Sequence, residues 1–589
     1  MRGAGYFMPT RFGHFELDEN ARSLTLRGAP QSLQPRVFDL LAYLVRNAGR
    51  VVPKDELMDA LWPDLTVTEA SLQRAVSLAR RALAADGLER AIRSFVRHGY
   101  RFGLDPDLTE PEPEAPGGTP DVAEARRRAR ACDWTGAVTL FEALPPEALE
   151  PADIDVWAGA VECQGRPAAA LPIHSRAVAA HLGAGDPVGA ARGAVALARI
   201  EIERAAPAVA GGWLDRAESL LAEEDDDAVR ASLLWMRSRL ATFEGRTEEA
   251  LGLASAAFDL AKRRGDQGLV ALTLAYRGFY NLALGHVGAG RADQNHAAAI
   301  ALSSQVDPVT GSTVYCNILW SCRTFADWER ARQWSAGFES WCKASFAEPP
   351  GACDLHRAEI LGAQRALPEA LRSIETALRK LAVEEAWTIG EGHRIRGDIQ
   401  AMIGDLAAAR ADYAAAAALG WDAEPGNAVL LFEEGEIDAA LAALDRALGG
   451  MTWFHLQRRG HLMIHKARIA ARGGRREIAT ALLAEIEGEP ERWPQPAIRA
   501  LIAETRAALA EPGDPEARRF LFLARELWTS AGMEYQAGRV RVELARSLLA
   551  DGDRAGAAIE LAAARMTASR IGSRRLADRA AEPDLAPAA

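Results

Sequence analysis

The sequence is poor in the features that would assign it a chemistry. Six cysteines in 589 residues, without regular spacing, do not supply a disulfide framework and point to a reducing compartment. The opening stretch Met1-Arg-Gly-Ala-Gly-Tyr-Phe-Met-Pro-Thr10 has no apolar signal core. The longest apolar run, Leu269 to Val287, is broken by Arg277, Asn281 and His286 and reads as a buried helix rather than a membrane span. A cytoplasmic chain without membrane association is expected. Enzymatic signatures are also missing: there is no Gly-x-x-x-x-Gly-Lys-Ser/Thr loop, no Gly-x-Ser-x-Gly and no His-Glu-x-x-His. Cys316, Cys322, Cys342, Cys353 and His356 fall in one region, but their spacing fits no zinc pattern. His461 and His465 are one helical turn apart without a nearby acid. No enzyme, no metal and no cofactor are expected.

What is present describes a multidomain globular chain, 49% apolar and 25% charged. The net charge of −12 argues against nucleic acid, but its distribution does not. Between Ser71 and Leu104 seven arginines (74, 80, 81, 90, 93, 97 and 101) stand against Asp86 and Glu89. Such a patch is the footprint of a phosphate-backbone binder. It overlaps Thr66 to Leu83, where Thr66 and Glu69 have capping-box spacing and Leu72, Val76, Ala79 and Leu83 make one apolar face. Gln73, Arg74, Ser77, Arg80 and Arg81 fall largely off that face, as a helix in a major groove requires.

Around this helix the first hundred residues read as strands, three helices and a hairpin. Phe15-Glu-Leu17 and Leu24-Thr-Leu26 alternate about a polar turn, and Pro35 opens a helical pattern ended by Asn47-Ala-Gly49. A short helix from Lys54 to Leu61 precedes the capped helix Glu69–Ala84, and Ile92–Val96 and Tyr100–Phe102 flank the tight turn Arg97-His98-Gly99. The motifs Leu33-Gln-Pro-Arg-Val-Phe-Asp-Leu-Leu41, Asn47-Ala-Gly-Arg-Val-Val52, Lys54-Asp-Glu-Leu57, Leu61-Trp-Pro63 and Gly99-Tyr-Arg-Phe102 together resemble the OmpR/PhoB-type winged-helix DNA-binding domain, with the N-terminal placement of ToxR/CadC-like regulators. The resemblance implies that Glu69–Ala84 enters the major groove and that the Arg97–Gly99 turn is a wing. It makes Lys54, Gln73, Arg74, Ser77, Arg80, Arg81, Arg97, His98 and Arg101 the DNA-binding candidates. Leu78-Ala79 departs from the more usual Arg-Leu, and Arg97 takes the wing's cationic role from a shifted position. Arg80 and Arg101 each admit a second reading as internal scaffold, and Trp62 reads as core.

Residues 105–120, dense in proline, glycine and acid, read as an extended linker. From 121 to 580 alanine, leucine, arginine and glutamate dominate. A glycine followed five positions later by an alanine recurs at Gly165/Ala170, Gly245/Ala250, Gly404/Ala409, Gly435/Ala440, Gly474/Ala479 and Gly552/Ala557, at intervals near forty residues. The joint is similar to that between the two helices of a tetratricopeptide repeat, with a longer period and without the usual Trp-x-x-Leu-Gly-x-x-Tyr. The fold class expected is thus multidomain: a small α+β winged helix-turn-helix (1–104), then an all-α, TPR-like superhelical solenoid with a concave binding surface, and a disordered tail (581–589). The aromatic segment Trp320 to Phe346 reads either as a pocket or as core. The function expected is a transcription regulator. Its winged helix binds double-stranded promoter DNA, and its repeats bind an effector: a small molecule, or a protein or peptide partner such as RNA polymerase. The rivals are a scaffold whose winged helix docks protein, and a ligand receptor with its site in the repeat cavity.

Overall fold

The computed structural model describes residues 10–103 and 121–582, apart from 13, 19–20, 32, 34, 49, 51, 62–68, 84–87, 89–90, 96–98, 225, 303–305, 346–349, 365 and 512–513. The chain divides into two compact units, Met1–Thr119 and Pro120–Ala589. Residues 105–120, read as a linker, lie outside the described residues.

In the first unit β2 (Phe15–Asp18) pairs with β3 (Ser23–Leu26) antiparallel, Phe15 opposite Leu26 and Leu17 opposite Leu24. Their alternation sends Phe15, Leu17 and Leu24 into the core. β1 (Thr10–Phe12) and β4 (Ala29–Gln31) complete a four-stranded sheet in the order β1-β2-β3-β4. Three helices follow: α1 (Pro35–Arg46), α2 (Lys54–Leu61) and α3 (Glu69–Leu83). They bury Leu40, Leu41, Leu44, Leu57 and Leu61, together with the four positions of α3 that the sequence spacing selects, Leu72, Val76, Ala79 and Leu83. The capping residue Thr66 is outside the described residues. β5 (Ile92–Phe95) and β6 (Gly99–Phe102) close the unit as an antiparallel pair. Val52 bridges to β6, exchanging hydrogen bonds of 2.8 and 2.9 Å with Tyr100. Gly99 makes that approach feasible: its φ is +130°, and a Cβ there would lie 1.8 Å from the Val52 carbonyl oxygen.

The second unit is an all-α solenoid of TPR-like helix pairs, from Val122–Arg130 to Arg574–Arg579. The glycine–alanine joint has a direct physical basis. Gly165, Gly245, Gly404, Gly435, Gly474 and Gly552 are all left-handed, with φ between +74° and +110°. The alanine five residues on is buried in every case, where the second helix of the pair presses on the first. Further joints have the same form without glycine. Cys132, Ala205 and Ala326 hold φ of +58°, +56° and +57°, each followed by a buried alanine, Ala137, Ala210 or Ala331. At Gly285 the small residue is Gly290, whose absent Cβ would fall 2.8 Å from the Gly278 carbonyl oxygen.

The solenoid winds tightly enough for distant turns to touch. Helix Gln267–Ala283 and helix Pro308–Thr324 both meet Trp453–Arg472, and Ile389–Ile403 meets Arg574–Arg579. Gln457 Nε2 donates to the Phe279 carbonyl at 2.7 Å and Arg575 Nη1 to the Ala401 carbonyl at 2.9 Å. The apolar run at Leu269 is a core helix, with Val270, Leu274 and Tyr280 buried. No helix among the described residues is long and apolar enough to cross a membrane. The aromatic segment divides between its two readings. Phe325, Trp328 and Phe338 are buried, whereas Trp320 joins a cluster from far along the chain, 4.7 Å from Trp453 and 5.6 Å from Trp387, and lines a cavity of about 210 Å3. Phe346 is outside the described residues. Cys342 and Cys353 sit with their sulfurs 3.9 Å apart between helices.

Candidate nucleic-acid interface

Helix α3 owes its orientation to both of its neighbours. Its inner face, Leu72, Ala75, Val76, Ala79 and Leu83, packs into the core shared with α1. Leu78, which replaces a base-reading residue common in the family it resembles, packs at the margin of the same core. Arg80 is half-buried, and its Nε donates to the Ile92 carbonyl at 3.0 Å, fastening α3 to the first strand of the β5–β6 hairpin. This side chain therefore fixes the angle between helix and wing, a role for which Nε is spent.

A second fastening positions α2. Tyr43, at the end of α1, donates from its hydroxyl to Glu56 Oε1 at 2.9 Å, and Arg50 Nη1 donates to Glu56 Oε2 at 3.0 Å. Arg50 also holds Asn47 Oδ1 from Nη2 at 2.8 Å. The Arg50 and Tyr43 hydrogen bonds hold the Glu56 carboxyl below the usual glutamate range. Two of the sequence motifs, Asn47-Ala-Gly-Arg50 and Lys54-Asp-Glu-Leu57, are thereby the two halves of one contact. Arg22 pairs with Asp39 at 2.7 Å and lies over the Phe38 ring, tying the β2–β3 turn to α1.

The nine candidate DNA contacts are distributed as follows. Lys54 is the first residue of α2 and half-buried. Gln73, Arg74, Ser77 and Arg81 occupy α3 at positions between the buried ones; their side chains are outside the described residues, as are Arg97 and His98 altogether. Arg101 is half-buried on β6, in register with residue 93 of β5. Arg80 makes a scaffold contact through a strand carbonyl. The Tyr43–Glu56–Arg50 contact is not foreseeable from spacing, because it joins side chains on three different segments.

A family model described as "Transcriptional regulatory protein, C terminal" matches residues 28–102. Transcriptional regulator HilA of Salmonella typhi is 33% identical over 85 residues, which is 14% of this chain and 15% of that protein. Transcriptional regulatory protein QseB of Escherichia coli O157:H7 is 38% identical over 94 residues, 16% of this chain and 41% of that protein. Transcriptional activator CadC of Escherichia coli (strain K12) is 29% identical over 94 residues, 16% of this chain and 18% of that protein. The chain thus spans less than half the length of each of these relatives. Among solved structures the APC/C hetero-tetramer Cut9-Hcn1 is similar over 78% of this chain and 95% of that chain, at 13% identity and a TM-score of 0.36. At that score the likeness carries no argument, and the helix-pair geometry alone supports the solenoid.

Proposed function

We propose that this chain, which carries an OmpR/PhoB-type domain at residues 28–102, is a non-enzymatic transcription regulator that binds promoter DNA through α3 and the β5–β6 wing. The observation that carries the reading is the arrangement of α3: one face wholly in the core, the helix fastened to the wing by Arg80, and arginines at 74 and 81 between the buried positions. Gln73 and Arg74 read base edges, Ser77 supports them, and Arg81, Arg97, His98, Arg101 and Lys54 hold the backbone. The solenoid takes the effector, a small molecule or a protein segment, and lies in the same compartment as the DNA.

The test is binding of the full-length protein to genomic fragments, followed by footprinting on the selected site. Arg81→Ala and Arg97→Ala should weaken all sequences alike and each flatten the slope of log affinity against log salt by about one unit. Gln73→Ala and Arg74→Ala should instead lose about 1–3 kcal/mol of discrimination at one or two base pairs, with non-specific affinity kept. Wild-type salt slopes and site preference in all four variants would remove α3 and the wing from the interface.

A further inference from the structure

The solenoid encloses a cavity of about 360 Å3, a size that takes metabolite-scale ligands. One wall is a stripe on helix Trp453–Arg472, where Arg458, His461, His465, Arg468 and Arg472 recur at steps of three and four. At 1.5 Å per residue the stripe runs about 21 Å. Charge along it is unevenly compensated. Near its start Arg458 Nη1 meets Asp422 Oδ1 at 2.9 Å, and Arg323 and Arg394 share Glu359 and Glu391. At the far end the cations outnumber the acids. Arg468, Arg472 and Arg539 share Glu504 and Glu543, and Arg575 and Arg579 share Glu433. Arg468 and Arg539 are 7% and 6% exposed, so the surplus sits away from bulk water, where an uncompensated charge is costly. Burial, and then Arg539, lowers the Arg468 guanidinium to about 10.

Tyr535 stands among these cations. It lines the cavity, is 7% exposed and lies within the electrostatic reach of Arg579, Arg539 and Arg468. Its hydroxyl has no hydrogen-bond partner among the described residues. His461 and His465 face each other on the same wall, 3.2 Å apart through Nε2, one ring donating to the other. Ile469, Met533 and Val542 supply apolar surface beside them.

We propose that this end of the cavity binds a small organic anion, its carboxylate or phosphate head held by Arg468, Arg539, Arg579 and the Tyr535 hydroxyl and its apolar body on Ile469, Met533 and Val542. The inference rests on the reading of the solenoid as the effector-binding unit and gives that effector its chemical class. Guanidinium groups accept both heads in the same way, so the test carries both. Calorimetry on the full-length protein would use benzoate and phenylphosphate as probes, with benzamide and benzylamine as neutral and cationic controls. At least one anion should bind about tenfold or more tightly than either control. Tyr535→Phe, which removes one oxygen and keeps the ring, should weaken that anion about fivefold or more, and Arg579→Gln should do likewise from the cavity's rim. Far-UV circular dichroism and the melting temperature would establish that both variants are folded. Saturable heat from neither anion up to about 10 mM, equal binding of benzamide, or unchanged anion affinity in both variants would overturn the proposal. DNA binding by the same preparation is scored separately. DNA binding without any anion response sinks this inference alone, and anion binding without DNA binding sinks the regulator reading and leaves the site standing.

Discussion

Arg80 and Arg81 are adjacent and chemically alike, yet their proposed roles differ. Arg80 Nε closes onto the Ile92 carbonyl, whereas the proposed function gives Arg81 the backbone of a duplex. The same dependence on surroundings governs the two histidines of the solenoid. Burial, and then repulsion from Arg458, pushes His461 down to about 3. Burial, then His461, Arg468 and Arg539, pushes His465 well below its ordinary value, and Glu359 is the acid opposing these cations at His461. The His461 ring is neutral in the fold at pH 5 and the His465 ring is shifted in the same direction, whereas in the unfolded chain both take up protons near about 6.5. With the folded value the lower one, the stability they carry is whole above about pH 6.5 and drains as the pH falls from there toward the folded values. Urea unfolding should therefore show a decline in stability from pH 7 to pH 5 that is shallower in His461→Asn/His465→Asn, with up to about 2 kcal/mol of the difference from His461. An equally steep decline in the double variant would mean that the rings are already hydrated in the fold.

At the scale of the helix pair, stability depends on the small residue at the joint. Ala440 is wholly buried and Ala439 beside it is exposed. Ala440→Leu should cost about 1–3 kcal/mol by overpacking, and Ala439→Leu should be close to neutral; equal melting temperatures would show that the joint has slack. This residue class is also what made the array legible. Glycine and alanine at fixed spacing state both the turn and the packing, so six joints could be read directly. The joints at Cys132, Ala205 and Ala326 place an ordinary residue in the left-handed region, where composition gives no sign. β1 and β4, three residues each, are too short to show an alternation. In the winged unit the buried face of α3 was legible from its own spacing, whereas the Tyr43–Glu56–Arg50 and Arg80–Ile92 contacts were not. They join segments 6 to 13 residues apart whose approach only the fold decides. The cavity lining was hidden for the same reason: Arg468 and Arg539 meet over Glu504 from helices far apart in sequence.

The molecule divides its charge as it divides its structure. Residues 1–104 carry fifteen basic and eleven acidic side chains within a chain whose net charge is −12, so the solenoid side holds all the negative surplus. An acidic array gains nothing from a phosphate backbone. Residues 1–108 alone should consequently footprint the same operator as the whole protein, with the solenoid required for regulated output from a reporter. A folded fragment that fails to bind, or one that regulates normally by itself, would refute that division. The tight winding of the solenoid bears on how it comes apart. In an open array each repeat touches only its neighbours and the ends fray first. Here Ser573 Oγ and Arg575 Nη1 bond to the Met402 and Ala401 carbonyls, 171 and 174 residues earlier, so the last turn is a clasp on the middle of the array. Melting should be a single cooperative event, and Arg575→Ala should raise amide exchange in helix Ile389–Ile403 as well as at the C-terminal helix. Exchange that rises at the C-terminal helix alone would mean that the clasp is ornamental and the array unzips from its end.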